Sequence, residues 1–168
     1  MEIRADDLTG DKIQELLSRH LHTCAQHSPP ECVFALDLDG LRAPELSFWS
    51  VWQQGILLGC GALKELAPDH GEIKSMHTCQ QQRGKGVASV MVEFIISEAL
   101  KRNYRRLSLE TGSMAAFAPA HKLYQKFGFY ECPPFAGYKA DPHSLFMTLT
   151  LNPAGNCQPV VNARSFYV

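Results

Sequence analysis

A chain of 168 residues is long enough to close one sizeable hydrophobic core. Its 16 basic and 17 acidic residues leave a net charge of −1, so no basic field is on offer to nucleic acid. No apolar run approaches the roughly 18–20 residues of a membrane helix, and the acidic start Met1-Glu2-Ile3-Arg4-Ala5-Asp6-Asp7 lacks the apolar stretch of a secretion signal, so the cytoplasm is the expected location.

In chain order, Ile3 to Leu8 reads as a short strand. Thr9 or Asp11 can cap the helix that follows, which runs to about Gln26 with Ile13, Leu16, Leu17 and Leu21 on its apolar side. On that helix His20, Cys24 and His27 share a face at spacings of four and three, with His22 nearby. Such a trio is a partial zinc set. No second ligand cluster accompanies it, so a polar helix face rich in histidine is the simpler reading. Ser28-Pro29-Pro30 ends the helix. Residues 31–45, with Asp37, Asp39 and Glu45, read as a loop holding a short extended piece.

Leu46 to Gln53, rich in aromatic and β-branched residues, is a predicted strand, and Gln53-Gln54-Gly55 a hairpin turn. Ile56 to Leu63 is apolar and carries Gly59 and Gly61, which suits a buried strand with close backbone neighbours. Ala67-Pro68-Asp69-His70-Gly71 reads as the next turn and Glu72 to Thr78 as another strand. A helix is expected from Val87 to about Asn103, with Val87, Val90, Met91, Phe94, Ile95 and Leu100 at helical spacing. Arg106 to Glu110 is a strand, and Ala115 to Phe127 a helix stopped by Gly128. Phe129 to Cys132 and Ser144 to Leu151 are the last strands. One domain over residues 1–151 and a loosely held tail over 152–168 are expected. The six cysteines, Cys24, Cys32, Cys60, Cys79, Cys132 and Cys157, form no Cys-x-x-Cys pair and are expected as reduced thiols, with Cys60 a small core residue.

The order β-α-β-β-β-α-β-α-β-β lacks the regular alternation of a doubly wound fold. It predicts an α+β class in which an antiparallel meander leads into a helix and a split mixed sheet follows. The stretch Gln82-Arg83-Gly84-Lys85-Gly86-Val87-Ala88 sits at that helix start. Its glycines let the backbone approach a ligand, and the first helical turn offers unpaired N–H groups and the positive end of the dipole. That combination suits a phosphate or pyrophosphate. Gly-x-x-x-x-Gly-Lys-Ser/Thr is absent, which disfavours a P-loop nucleotide enzyme.

Arg83-x-x-Gly86-x-Ala88 resembles the Gln/Arg-x-x-Gly-x-Gly/Ala motif of the GNAT superfamily of acyl-CoA N-acyltransferases. Leu123-Tyr124-Gln125-Lys126-Phe127-Gly128-Phe129 is similar to that family's Leu-Tyr-x-Lys-x-Gly-Phe signature, about 40 residues further on. The likeness covers roughly Ile3 to Leu151. The stretches Gly59 to Lys64 and Leu107 to Ser113 resemble one bacterial branch, some members of which carry an indole-acetate-related label.

The resemblance implies a GNAT fold, with a central, mixed, splayed sheet flanked by helices. Backbone amides of Arg83, Gly84, Lys85, Gly86, Val87 and Ala88 would then hold the pyrophosphate of coenzyme A. The strand Met76-His77-Thr78 would pair with the pantetheine arm, one amide holding the thioester carbonyl. Tyr124 would protonate the leaving thiolate. A phenol near pKa 10 and a thiol near 8.5 differ by about 1.5 units, or roughly 2 kcal/mol, which a close hydrogen bond can offset. The plainer alternative for Tyr124 is a core tyrosine on a helix face. Many members carry Asn seven residues before this Tyr; here the position is Phe117, and Ser113 is a candidate replacement.

An amine acceptor must lose a proton, and Glu72, His77 and Glu110 are the candidate bases, with Glu110 first because its strand end flanks the implied gap. Glu110 can otherwise be a surface carboxylate or a partner of Arg105 or Arg106. Asp37, Asp39 and Glu45 could attract a cationic amine, with Phe48, Trp49 and Trp52 as an apolar wall. A solvated acidic loop and core aromatics are the plainer reading. The expected protein is an N-acetyltransferase moving acetyl from acetyl-CoA to a primary amine of a small molecule or peptide. No metal, nucleic acid or membrane partner is expected, and a homodimer is expected only by analogy. The rivals are an enzyme of the same fold acting on another acceptor or acyl group, even a hydroxyl, and a CoA-binding sensor or interaction module with little turnover.

Overall fold

The structure is a computed structural model that describes residues 1–27, 29–30 and 34–153. Strands β1 (Glu2–Ala5), β2 (Leu46–Gln53), β3 (Ile56–Ala67) and β4 (His70–Thr78) form an antiparallel meander. β2 and β3 are joined by Gln54 and Gly55, both at positive φ (50° and 76°). Two such residues give a hairpin turn whose twist matches that of the strands. Only Pro68 and Asp69 separate β3 from β4, because Ala67 pairs with His70. The turn predicted over 67–71 is therefore shorter, and both strands longer, than the sequence suggested. A proline at the turn needs no ladder hydrogen bond, while Ala67, His70 and Gly71 still find partners across the hairpin.

Helix α1 (Asp11–His27) packs one face of the sheet through Ile13, Leu16 and Leu17, which meet Phe48, Cys60 and Ala62. In its first turn the Gln14 amide donates to the Gly10 carbonyl, and the Thr9 hydroxyl donates to Asp7 instead of capping. Where a loop with an extended piece was expected, a one-turn helix α2 (Leu38–Leu41) forms, because the Asp37 side chain accepts from the Gly40 amide at 2.8 Å. Residues 28, 31–33 and 154–168 lie outside the described residues, and with them Cys32, Cys157, Ser28 of the predicted helix stop and most of the predicted tail.

On the other face, α3 (Val87–Lys101) buries Met91, Val92 and Ile95 against Leu63, Ile73, Leu107 and Leu109. Val92 and Ile95 are fully buried, each worth about 1.5–3 kcal/mol of transfer free energy. The close approach depends on Gly61, where a Cβ would sit 2.8 Å from Met91 Cγ. Asn103, at φ 60°, turns the chain out of α3 two residues earlier than the predicted end. β5 (Arg106–Gly112) follows. The predicted helix over 115–127 divides into a 3-10 turn (Ala115–Phe117) and α4 (Ala118–Lys126), since Pro119 belongs in a first helical turn and not in an interior. β6 (Tyr130–Glu131) and β7 (Ser144–Thr150) complete one mixed sheet in the order β1-β2-β3-β4-β5-β7-β6.

The joint between β4 and β5 positions the site. The two strands run parallel and pair over four residues, His70↔Arg106 to Ile73↔Leu109, and no further. Beyond that point β5 stays with β7, where Glu110 faces Phe146 and Gly112 faces Ser144. β4 stays with β3 but bulges: Lys74 pairs with Ala62 and His77 with Cys60, three steps against two. Ser75, inside the bulge, has φ 52°. The sheet therefore splays open between residues 74–78 and 110–112.

Candidate active site in the splayed sheet

The splay holds a cavity of about 140 Å³. Ile73, Lys74, Ser75 and Met76 line it from β4, and Glu110, Thr111 and Gly112 from β5. Tyr124 and Ala120 of α4 and His20 and Cys24 of α1 complete the wall. Glu110 and Tyr124, 14 positions apart in the chain, thus meet at one cavity. His77 and Thr78 continue β4 toward its end, with one backbone edge paired to Cys60 and Gly59 and the β5 edge outside the ladder.

The chain leaves β4 through a 3-10 turn (Gln80–Gln82) and enters α3 through Arg83-Gly84-Lys85-Gly86. Gly84 and Gly86 take φ of 75° and 83°, conformations natural only to glycine, and a Cβ on either would meet no atom within 4 Å. Sterics inside the protein thus do not demand these glycines; the backbone path does. No side chain caps α3 at Gly86 and its first turn holds no acid, so the opening amides of Val87 and Ala88 face an anion-ready space. The Arg83 amide is already engaged by the Gln80 carbonyl at 3.3 Å, and Lys85 Nζ donates to Gln82 at 3.1 Å.

Tyr124 is 6% exposed, with its ring edge-on to Phe129. Burial pushes its phenol above the ordinary value. The Cys24 thiol in the same cavity is pushed up to about 11, chiefly by burial and then by Glu110. A thiolate leaving there would meet the same desolvation, so the donor–acceptor gap need not widen. Glu110 is half-buried, and burial raises its carboxyl above the usual range. Nearby Ser144 and Lys74 pull the other way, the Ser144 hydroxyl without a hydrogen bond of good geometry, and Glu72 and Asp141 add to the rise. Neither Arg105 nor Arg106 pairs with Glu110; Arg106 reaches His70 Nδ1 at 3.2 Å. The His77 ring lies tilted against His20, with ring centroids 5.0 Å apart and planes at 52°. Burial holds both imidazoles neutral, each lowered to about 4.

Several expectations are corrected. Asp37 is spent as the α2 cap and Asp39 lies 3.8 Å from Arg42. Phe48 and Trp49 are core residues on opposite faces of the sheet, and Trp52 packs beside Phe48, so the plainer reading of that region holds. Ser113 donates to the Pro142 carbonyl at 2.6 Å and is committed there. Phe117 covers the end of β5 closely: a Cβ on Gly112 would sit 2.4 Å from its ring. His20 and Cys24 face the cavity, and no group of three or more His, Cys, Asp or Glu able to hold a metal occurs among the described residues. Cys60 is buried in the core, as expected.

The sequence reading named Glu72 only as a candidate base and missed the cluster it forms beside the cavity-lining Lys74. Glu72 and Lys74, neighbours on one face of β4, pair at 3.2 Å, and the Tyr138 hydroxyl donates to Glu72 at 2.6 Å. Tyr138 comes from a turn-rich stretch 64 residues beyond Lys74, with Phe135 and Phe34 packed edge-on to its ring. The i, i+2 spacing of Glu72 and Lys74 was the only local signal.

The model of the acetyltransferase (GNAT) family matches residues 11–129. Relatives include the uncharacterized N-acetyltransferase YsnE of Bacillus subtilis, 56% identical over 90% of this chain and 100% of its own. YedL of Escherichia coli, also an uncharacterized N-acetyltransferase, is 49% identical over 89% and 94%. An IAA acetyltransferase of Azospirillum brasilense is 37% identical over 71% and 77%. Among crystal structures, a provisionally assigned acyl-CoA N-acyltransferase of Klebsiella pneumoniae superposes with a TM-score of 0.75 at 26% identity, over 90% of this chain and 97% of that one. A Bacillus subtilis acetyltransferase in complex with CoA gives 0.67 at 19%, over 90% and 99%.

Proposed function

This chain belongs to the acetyltransferase (GNAT) family and is an acyltransferase, and we propose that it moves acetyl from acetyl-CoA to a primary amine by direct attack in a ternary complex. The observation that carries this reading is the parting of β4 from β5 after Ile73↔Leu109, with Glu110 and Tyr124 at the opening and the glycine loop following the free end of β4. The loop fits a pyrophosphate: Gly84 and Gly86 leave open space where side chains would stand, and the helix start is uncapped. The unpaired edge of Met76, His77 and Thr78 suits an extended amide-bearing arm.

Acetyl-CoA supplies an activated thioester. The protein's own residues do the rest. A β4 amide facing the gap stabilises negative charge on the carbonyl oxygen. Glu110, its carboxyl raised toward neutrality by burial, takes a proton from the amine as the C–N bond forms. Tyr124, fully protonated at neutral pH, gives a proton to the sulfur as the C–S bond breaks. His77 is a poor base in this site because its imidazole, lowered to about 4, binds protons weakly. Thiol release from acetyl-CoA across a panel of amines tests the proposal. Release that depends on the amine is expected. Tight CoA binding with no release for any amine would instead mark a sensor, the reading that Phe117 favours.

A further inference from the structure

Two strands bring Lys74 and Glu110 to the cavity wall, with Glu72 buried beside Lys74, and their pairing is unequal. On β4, Glu72 and Lys74 form an ion pair at 3.2 Å with side chains only 3% and 9% exposed. Tyr138 closes the pair. Its hydroxyl donates to the Glu72 oxygen at 2.6 Å and accepts from Lys74 at 2.8 Å, so two of the three ammonium N–H groups are committed. On β5, Glu110 has no cation within 4 Å among the described residues. His20 on the same wall is held neutral by burial.

The cluster therefore lacks one positive charge. A single ammonium beside Glu110 restores balance. A carboxylate on the same acceptor would bring in an anion where the one lining cation is already matched, and a buried ion without a partner is strongly penalised. Apart from Ser75, Thr111 and Cys24 the wall offers an apolar side made by Phe34, Ile73 and Phe117, and the space is small. We propose that the acceptor is a small primary monoamine with an apolar body and no carboxylate, its nitrogen placed at Glu110, and that Glu72 sets this preference by occupying Lys74. This rests on the amine-transfer reading above.

The test is acetyl-CoA thiol release with matched acceptors: phenethylamine, phenylalaninamide and phenylalanine, and the short pair propylamine and 2-aminobutyrate. For each skeleton kcat/KM for the uncharged-tail member should exceed that of the acid by at least about tenfold, because only the acid adds an unmatched buried charge. Glu72→Gln, which frees Lys74, should narrow that ratio. A reading that needs no variant is inhibition of the wild type by 3-phenylpropionate, expected to be weak. Equal or better turnover of the acids, or tight competition by 3-phenylpropionate against the amine, overturns the inference while amine transfer stands. Thiol release from none of the five, with acetyl-CoA bound, removes the small-amine reading and this inference together.

Discussion

At the scale of single residues, Tyr124 and Glu110 carry opposite demands from one environment. Burial keeps the Tyr124 proton on, which suits a donor, and it raises the Glu110 carboxyl, which suits a base working near neutral pH. Tyr124→Phe should lower kcat by about 10²-fold, a typical general-acid contribution, while the acetyl-CoA KM stays within about twofold; an unchanged kcat would take Tyr124 out of the chemistry. Glu110→Gln should lower kcat and abolish the rise of rate with pH that follows Glu110 ionisation. The same substitution has a stability consequence. A carboxyl raised on folding stabilises the protein below its unfolded pKa, and that stability is lost as pH rises through the folded value. At pH 7.5 the amide variant should therefore melt no lower than wild type, and higher if the carboxylate is strained there. A lower melting temperature together with a wild-type pH–rate profile would assign Glu110 a structural part instead.

At the scale of elements, two backbone irregularities make the site. One is the β4 bulge at Ser75, which turns the strand off its parallel neighbour. The other is the pair of left-handed glycines that deliver the chain to α3. Since a Cβ at Gly86 would touch nothing within 4 Å, Gly86→Ala carries only the dihedral cost, about 1–2 kcal/mol. On the proposed reading a methyl there would also stand where the pyrophosphate approaches the backbone. Gly86→Ala should thus lower the melting temperature by a few degrees and raise the acetyl-CoA KM by about tenfold or more. A shift in stability with an unaltered KM would place the pyrophosphate elsewhere.

At the scale of the whole molecule, α1 meets the open half of the sheet through the contact between the imidazoles of His20 and His77. Both have pKa values lowered from 6.5 to about 4 by burial, with each other's charge and nearby arginines also opposing protonation of His77. A group depressed on folding contributes stability that is complete above the unfolded pKa and lost as pH falls toward the folded one. The melting temperature should accordingly drop between pH 6.5 and 4, and His20→Leu should flatten the slope by removing one of the two protons taken up on unfolding. Superposable melting curves across that range for variant and wild type would discard this account. No helix among the described residues is long and apolar enough to cross a membrane.

The element order and the family were legible in the sequence because they rest on local signals. Hydrophobic period, glycine placement and the two motifs around Gly86 and Tyr124 are read within a dozen residues each, and dihedral preference acts at that range. Boundaries were missed where a partner strand, a cap or a local backbone break decided them, as at Ala67, His70, Asp37, Asn103 and Pro119. The site was only half legible. Glu110 and Tyr124 were named from motif and strand end and Glu72 only as a candidate base, but Lys74 and Tyr138 were not named, and Phe48 and Trp49 went to the core while Trp52 stays half-buried under Arg4 and Lys12. By itself the sequence determined that a phosphate-ready helix start stands beside a tyrosine on a helix. Tertiary structure alone decided that β4 leaves β5 after four pairs and which charges are left unmatched in the opening, since hydrogen-bond partners and burial belong to residues distant in the chain.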